Sequence, residues 1–240
     1  CDMDKIMKIA SFNNLLVIED AAQAIDSFYK GRPLGSIGHM GTFSFHETKN
    51  INSGEGGLLT INDKRSIKRS EIIWEKGTNR AEFFRGEVNK YGWCDTGSSF
   101  LPSEIIAAYL WAQLENLNLI QSKRLALWDY YYRGLENWAA ENNVGLPVIP
   151  EYATNNGHIF YLVCRSPEQR DYLIEKLKVN GIHAVFHYLS LHKSSYYKHK
   201  HGSRELPNSD RYSETLVRLP LFYELTFPVL DRIIDIIINS

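Results

Sequence analysis

Lys49 stands five residues after Ser44, directly behind a run, Gly41-Thr42-Phe43-Ser44-Phe45, that reads as a strand. Asp20 and Gln23 come earlier, just past the apolar run Leu15-Leu16-Val17-Ile18, and Gly54-Glu55-Gly56-Gly57 follows the lysine. Taken singly, each has an ordinary explanation. An aspartate at a strand end could cap a helix or pair with a cation, a lysine behind a strand is usually a solvated charge, and a glycine-rich loop is usually a turn. Together they form a chemical set. The carboxylate can keep a heteroaromatic nitrogen protonated, the amine can condense with an aldehyde, and the hydroxyl can hold a phosphate beside a loop that glycine allows to bend sharply. Pyridoxal 5'-phosphate (PLP) asks for these groups.

The elements that would position them can be read from hydrophobic patterning. Asp2 or Asp4 can cap a helix through Ile6, Met7, Ile9 and Ala10. Leu15 to Ile18 is apolar without alternation, the pattern of a strand buried on both faces of a parallel sheet, and it ends on Glu19-Asp20. Residues 29–35 read as a turn-rich loop. Strands are expected near 41–45 and 58–61, and helices over about 64–76 and 103–138. Pro147 and Pro150 suggest a linker. Strand, helix and strand then alternate at 158–164, 167–178 and 182–188. A polar loop follows over 192–209, and helices are expected at about 209–217 and 227–239. The fold class is therefore α/β in two parts: residues 1–146 with a mainly parallel sheet and helices, and residues 147–240 as a smaller α/β domain. Ligands of open α/β sheets gather at the carboxyl ends of the strands, where Asp20 falls.

Composition excludes several classes. The chain has 240 residues, 44% hydrophobic and 23% charged, with a formal net charge of -1. It lacks the basic excess of a nucleic-acid binder, and no run is apolar for long enough to span a bilayer. Cys1, Cys94 and Cys164 are too widely spaced for a disulfide framework or a metal-ligand pattern, so no metal is expected and a reducing cytoplasm fits. The opening Cys1-Asp2-Met3-Asp4 shows no leader pattern and reads as starting inside a domain.

The blocks Val17 to Ala24, Lys30 to Gly35, Ser44-Phe45 with Lys49, and Gly54 to Gly57 resemble, in order and spacing, the DegT/DnrJ-type sugar aminotransferases of PLP fold type I. The resemblance runs along the whole chain, which corresponds to the later part of a member. It implies that Lys49 is the Schiff-base lysine and proton shuttle, that Asp20 pairs with the pyridine nitrogen, that Gln23 sits near the ring's 3' oxygen, and that Ser44 binds phosphate. Residues 1–146 would be the C-terminal portion of the PLP-binding large domain and 147–240 the small domain that closes over substrate. Phe45 to Asn50, Glu75 to Arg80, Phe83 to Gly86 and Arg218 to Tyr223 resemble members that use glutamate to aminate C4 of a dTDP-linked 4-keto-6-deoxy sugar. The product, a 4-amino-4,6-dideoxy sugar nucleotide, would feed surface glycan synthesis. A homodimer sharing its active site is also implied. Where the family often has an asparagine reaching the partner's phosphate, this chain reads Gly97-Ser98-Ser99-Phe100-Leu101, and Ser99 takes that place.

Other residues keep two readings. Arg80 and Arg85 could meet the donor carboxylate or the nucleotide phosphates, or simply pair on the surface. His187 and His192 resemble the segment at the substrate mouth, and either could equally be structural. His192, His199 and His201 with Lys193, Lys198 and Lys200 show no ligand spacing and read as a solvated loop. Family members carry further strands, a phosphate-holding helix N-terminus and a ring-stacking aromatic upstream of the Asp20 block. The expectation is therefore a truncated piece, and an alternative is a catalytically silent fragment that only dimerises or binds nucleotide sugar. Lysine at 49 favours the enzyme, because family dehydratases that work without a Schiff base replace it.

Overall fold

The computed structural model describes residues 1–200, 202 and 204–239; His201 of the histidine-rich loop lies outside them. The chain divides into two compact units, residues 1–119 with 151–156, and residues 120–150 with 157–240.

In the first unit, helix α1 (Met3–Phe12) starts because the Asp2 side chain accepts the Lys5 N–H, and it ends before Asn14, whose φ is +52°. Strand β1 (Ile18–Asp20) follows. Next come the short strands β2 (Phe28–Tyr29) and β3 (Arg32–Pro33), turned by Lys30 and Gly31 at positive φ, a hairpin where a loop was expected. Strand β4 (Met40–Ser44) pairs in parallel with β1, and β5 (Gly57–Ile61) pairs antiparallel with β4. The sheet β1-β4-β5 is thus mixed rather than mainly parallel, because a short connection can join only antiparallel neighbours.

The apolar run before Asp20 also differs from expectation. Only Ile18 joins the strand, and Leu15, Leu16 and Ile18 are more than half exposed (55%, 65% and 61%). β1 is the edge of the sheet, so among the described residues no strand pairs with its outer side. Helices α2 (Ile67–Trp74), α3 (Arg80–Phe84) and α4 (Glu104–Glu115) complete this unit. The long helix expected over 103–138 is broken at Asn116, which caps α4 before α5 (Leu117–Glu141) begins.

The second unit takes α5 from Ile120 onward. It adds β6 (Phe160–Val163), α6 (Pro167–Val179), β7 (Val185–Phe186), α7 (Pro207–Thr215), β8 (Leu216–Leu219) and α8 (Phe227–Ile238). β8, read from sequence as the end of a helix, is the central strand of the antiparallel sheet β6-β8-β7. Alternation sends Phe160, Leu162, Val217 and Leu219 into a core with Leu127, Tyr131, Leu135, Leu230 and Ile237. Each such buried side chain contributes about 1.5–3 kcal/mol by leaving water. Arg124 of α5 is buried and donates to the carbonyls of Gly157, His158 and Leu221. The boundary of compact units therefore falls at 119/120, inside a continuous helix, and not at the expected 146/147. Pro147 itself is buried in the second unit.

Candidate functional site

Parallel pairing brings the C-terminal ends of β1 and β4 to one edge of the first unit's sheet, with Asp20 opposite Thr42 and Ser44 two residues farther on. Pleating turns adjacent side chains to opposite faces, and the two carboxylates at this strand end have separate fates. Glu19 is buried and accepts the N–H groups of Gly35, Ile37 and Gly38 at 2.6–2.9 Å, fixing the loop before β4. Asp20 is exposed. Its Oδ1 accepts the Ala22 N–H at 3.1 Å, and it makes no ion pair among the described residues.

Lys49 lies in the connection from β4 to β5, which is tied at its base. Phe45 donates to Gly56 O at 2.9 Å, Glu47 to Gly54 O at 2.8 Å, and Ser53 to Phe45 O at 2.8 Å. Within the loop, the Lys49 N–H reaches His46 O at 2.9 Å. The Thr48 N–H donates to His46 Nδ1 at 3.2 Å, so that nitrogen acts as an acceptor there. Gly54, at φ +78°, supplies the left-handed residue on which the loop returns. Lys49 is half-buried, and its amine has no ion pair among the described residues. The Ser44 Oγ accepts the His46 N–H at 3.3 Å, which leaves its own O–H available as a donor.

An asparagine network, which sequence reasoning missed, braces this loop. Buried Asn50 donates to Asn156 O at 2.8 Å, and Asn156 Nδ2 reaches Gln23 O at 2.8 Å and Ile25 O at 2.9 Å. The lysine loop and the turn after Asp20 are thereby tied to one returning segment. Gln23 takes part through its carbonyl, and its side chain is exposed. No local signal marks Asn156, because its partners lie more than a hundred residues away in the chain.

The remaining expected residues are placed as follows. Arg80 bonds the buried Glu75 carboxylate and lies 4.9 Å over the Phe84 ring. Arg85 is forked onto Glu71 at 2.8 and 3.0 Å and also bonds Glu87 at 2.7 Å, contacts that hold its proton more firmly than usual. Both guanidiniums therefore already have carboxylate partners. Ser99 is exposed, in a backbone bridge with Glu75. In the second unit, His192 Nε2 lies 3.2 Å from Asp210, which also takes Lys193 at 3.0 Å. His187 is half-buried, and burial followed by the nearby Arg218 charge holds its imidazole below the ordinary range.

Asp20 and Ser44 thus stand at the C-terminal ends of neighbouring parallel strands, and Lys49 lies in the loop that leaves β4 at that end. A carboxylate and an amine without charge partners, with a hydroxyl free to donate, fit a ring nitrogen, an aldehyde and a phosphate, which are the groups of PLP.

The chain matches the DegT/DnrJ/EryC1/StrS aminotransferase family over residues 1–238. An uncharacterised protein of Methanocaldococcus jannaschii is 30% identical over 247 residues, covering 99% of this chain and 62% of that protein. Among solved structures, the aminotransferase from Psychrobacter cryohalolentis is 26% identical with a TM-score of 0.89, covering 100% of this chain and 65% of that one. DesV of S. venezuelae, solved in complex with a ketimine intermediate, is 29% identical with a TM-score of 0.85, covering 100% of this chain and 61% of that one. This chain therefore spans less than two thirds of the length of each.

Proposed function

Since the chain belongs to the DegT/DnrJ/EryC1/StrS aminotransferase family, we propose that it serves a PLP-dependent transfer of an amino group from glutamate to C4 of a dTDP-linked 4-keto-6-deoxy sugar. The product would be a 4-amino-4,6-dideoxy sugar nucleotide of the dTDP-4-amino-4,6-dideoxygalactose type, made in the cytoplasm for surface glycans. The observation that carries this reading is the parallel pairing of β1 with β4, which puts Asp20 at the same end of the sheet as Ser44 and the Lys49 loop, neither Asp20 nor Lys49 making an ion pair among the described residues. PLP, the cofactor of this family, supplies when bound the electron sink that lets an amino group pass between two carbon skeletons.

The chain's own residues would act around it. Lys49 Nζ would hold the cofactor through its aldehyde and, once released, would serve as the proton shuttle between cofactor and substrate carbons, a service typically worth 10²–10⁴-fold in rate. The Asp20 carboxylate keeps the ring nitrogen protonated by a charge-assisted hydrogen bond. Ser44 donates its O–H to phosphate while still accepting from His46. Gln23 lies by the ring oxygen, and Ser99 reaches the phosphate of a second copy in a homodimer. Arg80, Arg85, His187 and His192 are the proposed substrate contacts, and the two arginines would have to exchange their present carboxylates for substrate. The second unit would act as the small domain that closes over the sugar.

The dimer reading is supported by α4, an apolar helix that buries none of its residues and leaves Ile105 84% and Trp111 65% exposed. Mass spectrometry of a reaction containing PLP, glutamate and dTDP-4-keto-6-deoxyglucose tests the whole proposal. A 4-amino sugar nucleotide formed by the wild type and lost in Lys49→Ala is expected. Sugar binding with no amination would favour the silent-fragment reading and overturn this one.

A further inference from the structure

The second unit carries a cationic group that the chemistry at Lys49 leaves unused. In β8, Val217 and Leu219 enter the core, so Arg218 stands on the opposite face of the sheet. Tyr161 of β6 and Val185 of β7 lie directly across from it in register. His187 lies just past the end of β7, near enough to Arg218 for that charge to act on its imidazole. A phenol and a guanidinium are therefore gathered on one half-buried face, with an imidazole beside it.

Arg218 and His187 each keep a ring or guanidinium nitrogen without a hydrogen-bond partner. Arg218 makes no ion pair among the described residues, and its Nε is closed to solvent with no hydrogen-bond partner. His187 Nδ1 is in the same condition. A buried donor left without an acceptor is costly, and two other arginines of the chain direct their donors to acceptors: Arg124 takes three carbonyls, and Arg85 takes Glu71 and Glu87. The carboxylates of adjacent α7 are already engaged, Asp210 by Lys193 and His192, and Glu214 by Lys193.

We propose that Arg218, flanked by His187 and Tyr161, forms an oxyanion site that binds a carboxylate or phosphate group of a small-molecule substrate. The guanidinium offers forked donors suited to either anion, and the imidazole and phenol supply two further polar contacts. The site itself rests on the geometry of this face; its use by a substrate of the Lys49 reaction rests on the proposed function.

The test is an NMR titration of the full chain without PLP, following the His187 ring C–H resonance assigned with H187Q. Inorganic phosphate and glutamate are added in separate arms. A saturable shift in the phosphate arm assigns the site to a nucleotide phosphate, and one in the glutamate arm assigns it to the donor carboxylate. R218Q should weaken the binding at least about tenfold, and R218K, which keeps the charge but loses the fork, should fall between R218Q and wild type. The amide spectrum checks folding of each variant, and R218K alone serves the comparison should R218Q fail to fold. No saturable shift with either anion overturns the proposal, as does unchanged affinity in the folded Arg218 variants. Because PLP is absent, failure of the Lys49 chemistry would leave this readout untouched.

Discussion

Lys49 and Asp20 make no ion pair among the described residues, whereas Glu19, next to Asp20, gives its carboxylate to three backbone amides. The sequence pointed to Asp20, Ser44 and Lys49 as candidates because they fall within short blocks at or just past strand ends. The structural role of Glu19 was not legible, since it depends on which face of the pleat the side chain meets. Asn50 and Asn156 were illegible because their bonds close over long separations. Removing the Asn156 amide should loosen the lysine loop, so N156A should speed hydrogen exchange at Lys49 and Asn50; unchanged exchange would show that the brace is idle. His187 gives a pH prediction at the same scale. Its folded imidazole is held below the ordinary range by burial and then by Arg218, so the unfolded chain takes up the proton first. The stability it contributes is whole above about pH 6.5 and is lost as pH falls through the lower folded value. The urea midpoint should fall across that window, and less steeply in H187Q; parallel pH profiles would contradict this assignment.

At the scale of elements, most helices and strands followed from patterning, and the misses have physical causes. The helix expected over 103–138 is two helices because Asn116 caps the first, a break that continuous apolar periodicity conceals. β8 was missed because its alternation spans only four residues directly behind a helix. Arg124 shows what holds α5 in the second unit. Burial pushes its guanidinium down to about 10, still charged at neutral pH, and three carbonyls take its donors. Arg124→Met keeps much of the volume but leaves those carbonyls without their donor. Chemical denaturation should show a loss of about 3 kcal/mol, and a loss under about 1 kcal/mol would mean that water replaces the arginine.

For the whole molecule, the α/β class was legible from the helix-strand rhythm, but the division into units was not. Prolines 147 and 150 draw attention to a linker, yet α5 passes from one unit into the other without a break and residues 151–156 return to the first. No helix among the described residues is long and apolar enough to cross a membrane, and the exposed side chains of α4 call for another kind of cover. If that cover is a second copy of the chain, I105E and W111E should each weaken dimerisation by about 10- to 100-fold in light scattering at matched concentrations. An unchanged mass for both variants would place the dimer contact elsewhere.

The central claim is that the edge carrying Asp20, Ser44 and Lys49 is a PLP site. Its most direct test is to mix the chain with PLP, reduce with borohydride, and map the modified peptide by mass spectrometry. A single pyridoxyl group on Lys49 is expected, absent in Lys49→Ala and reduced in occupancy in Asp20→Ala. Label spread over surface lysines, or unchanged labelling in Lys49→Ala, would contradict it.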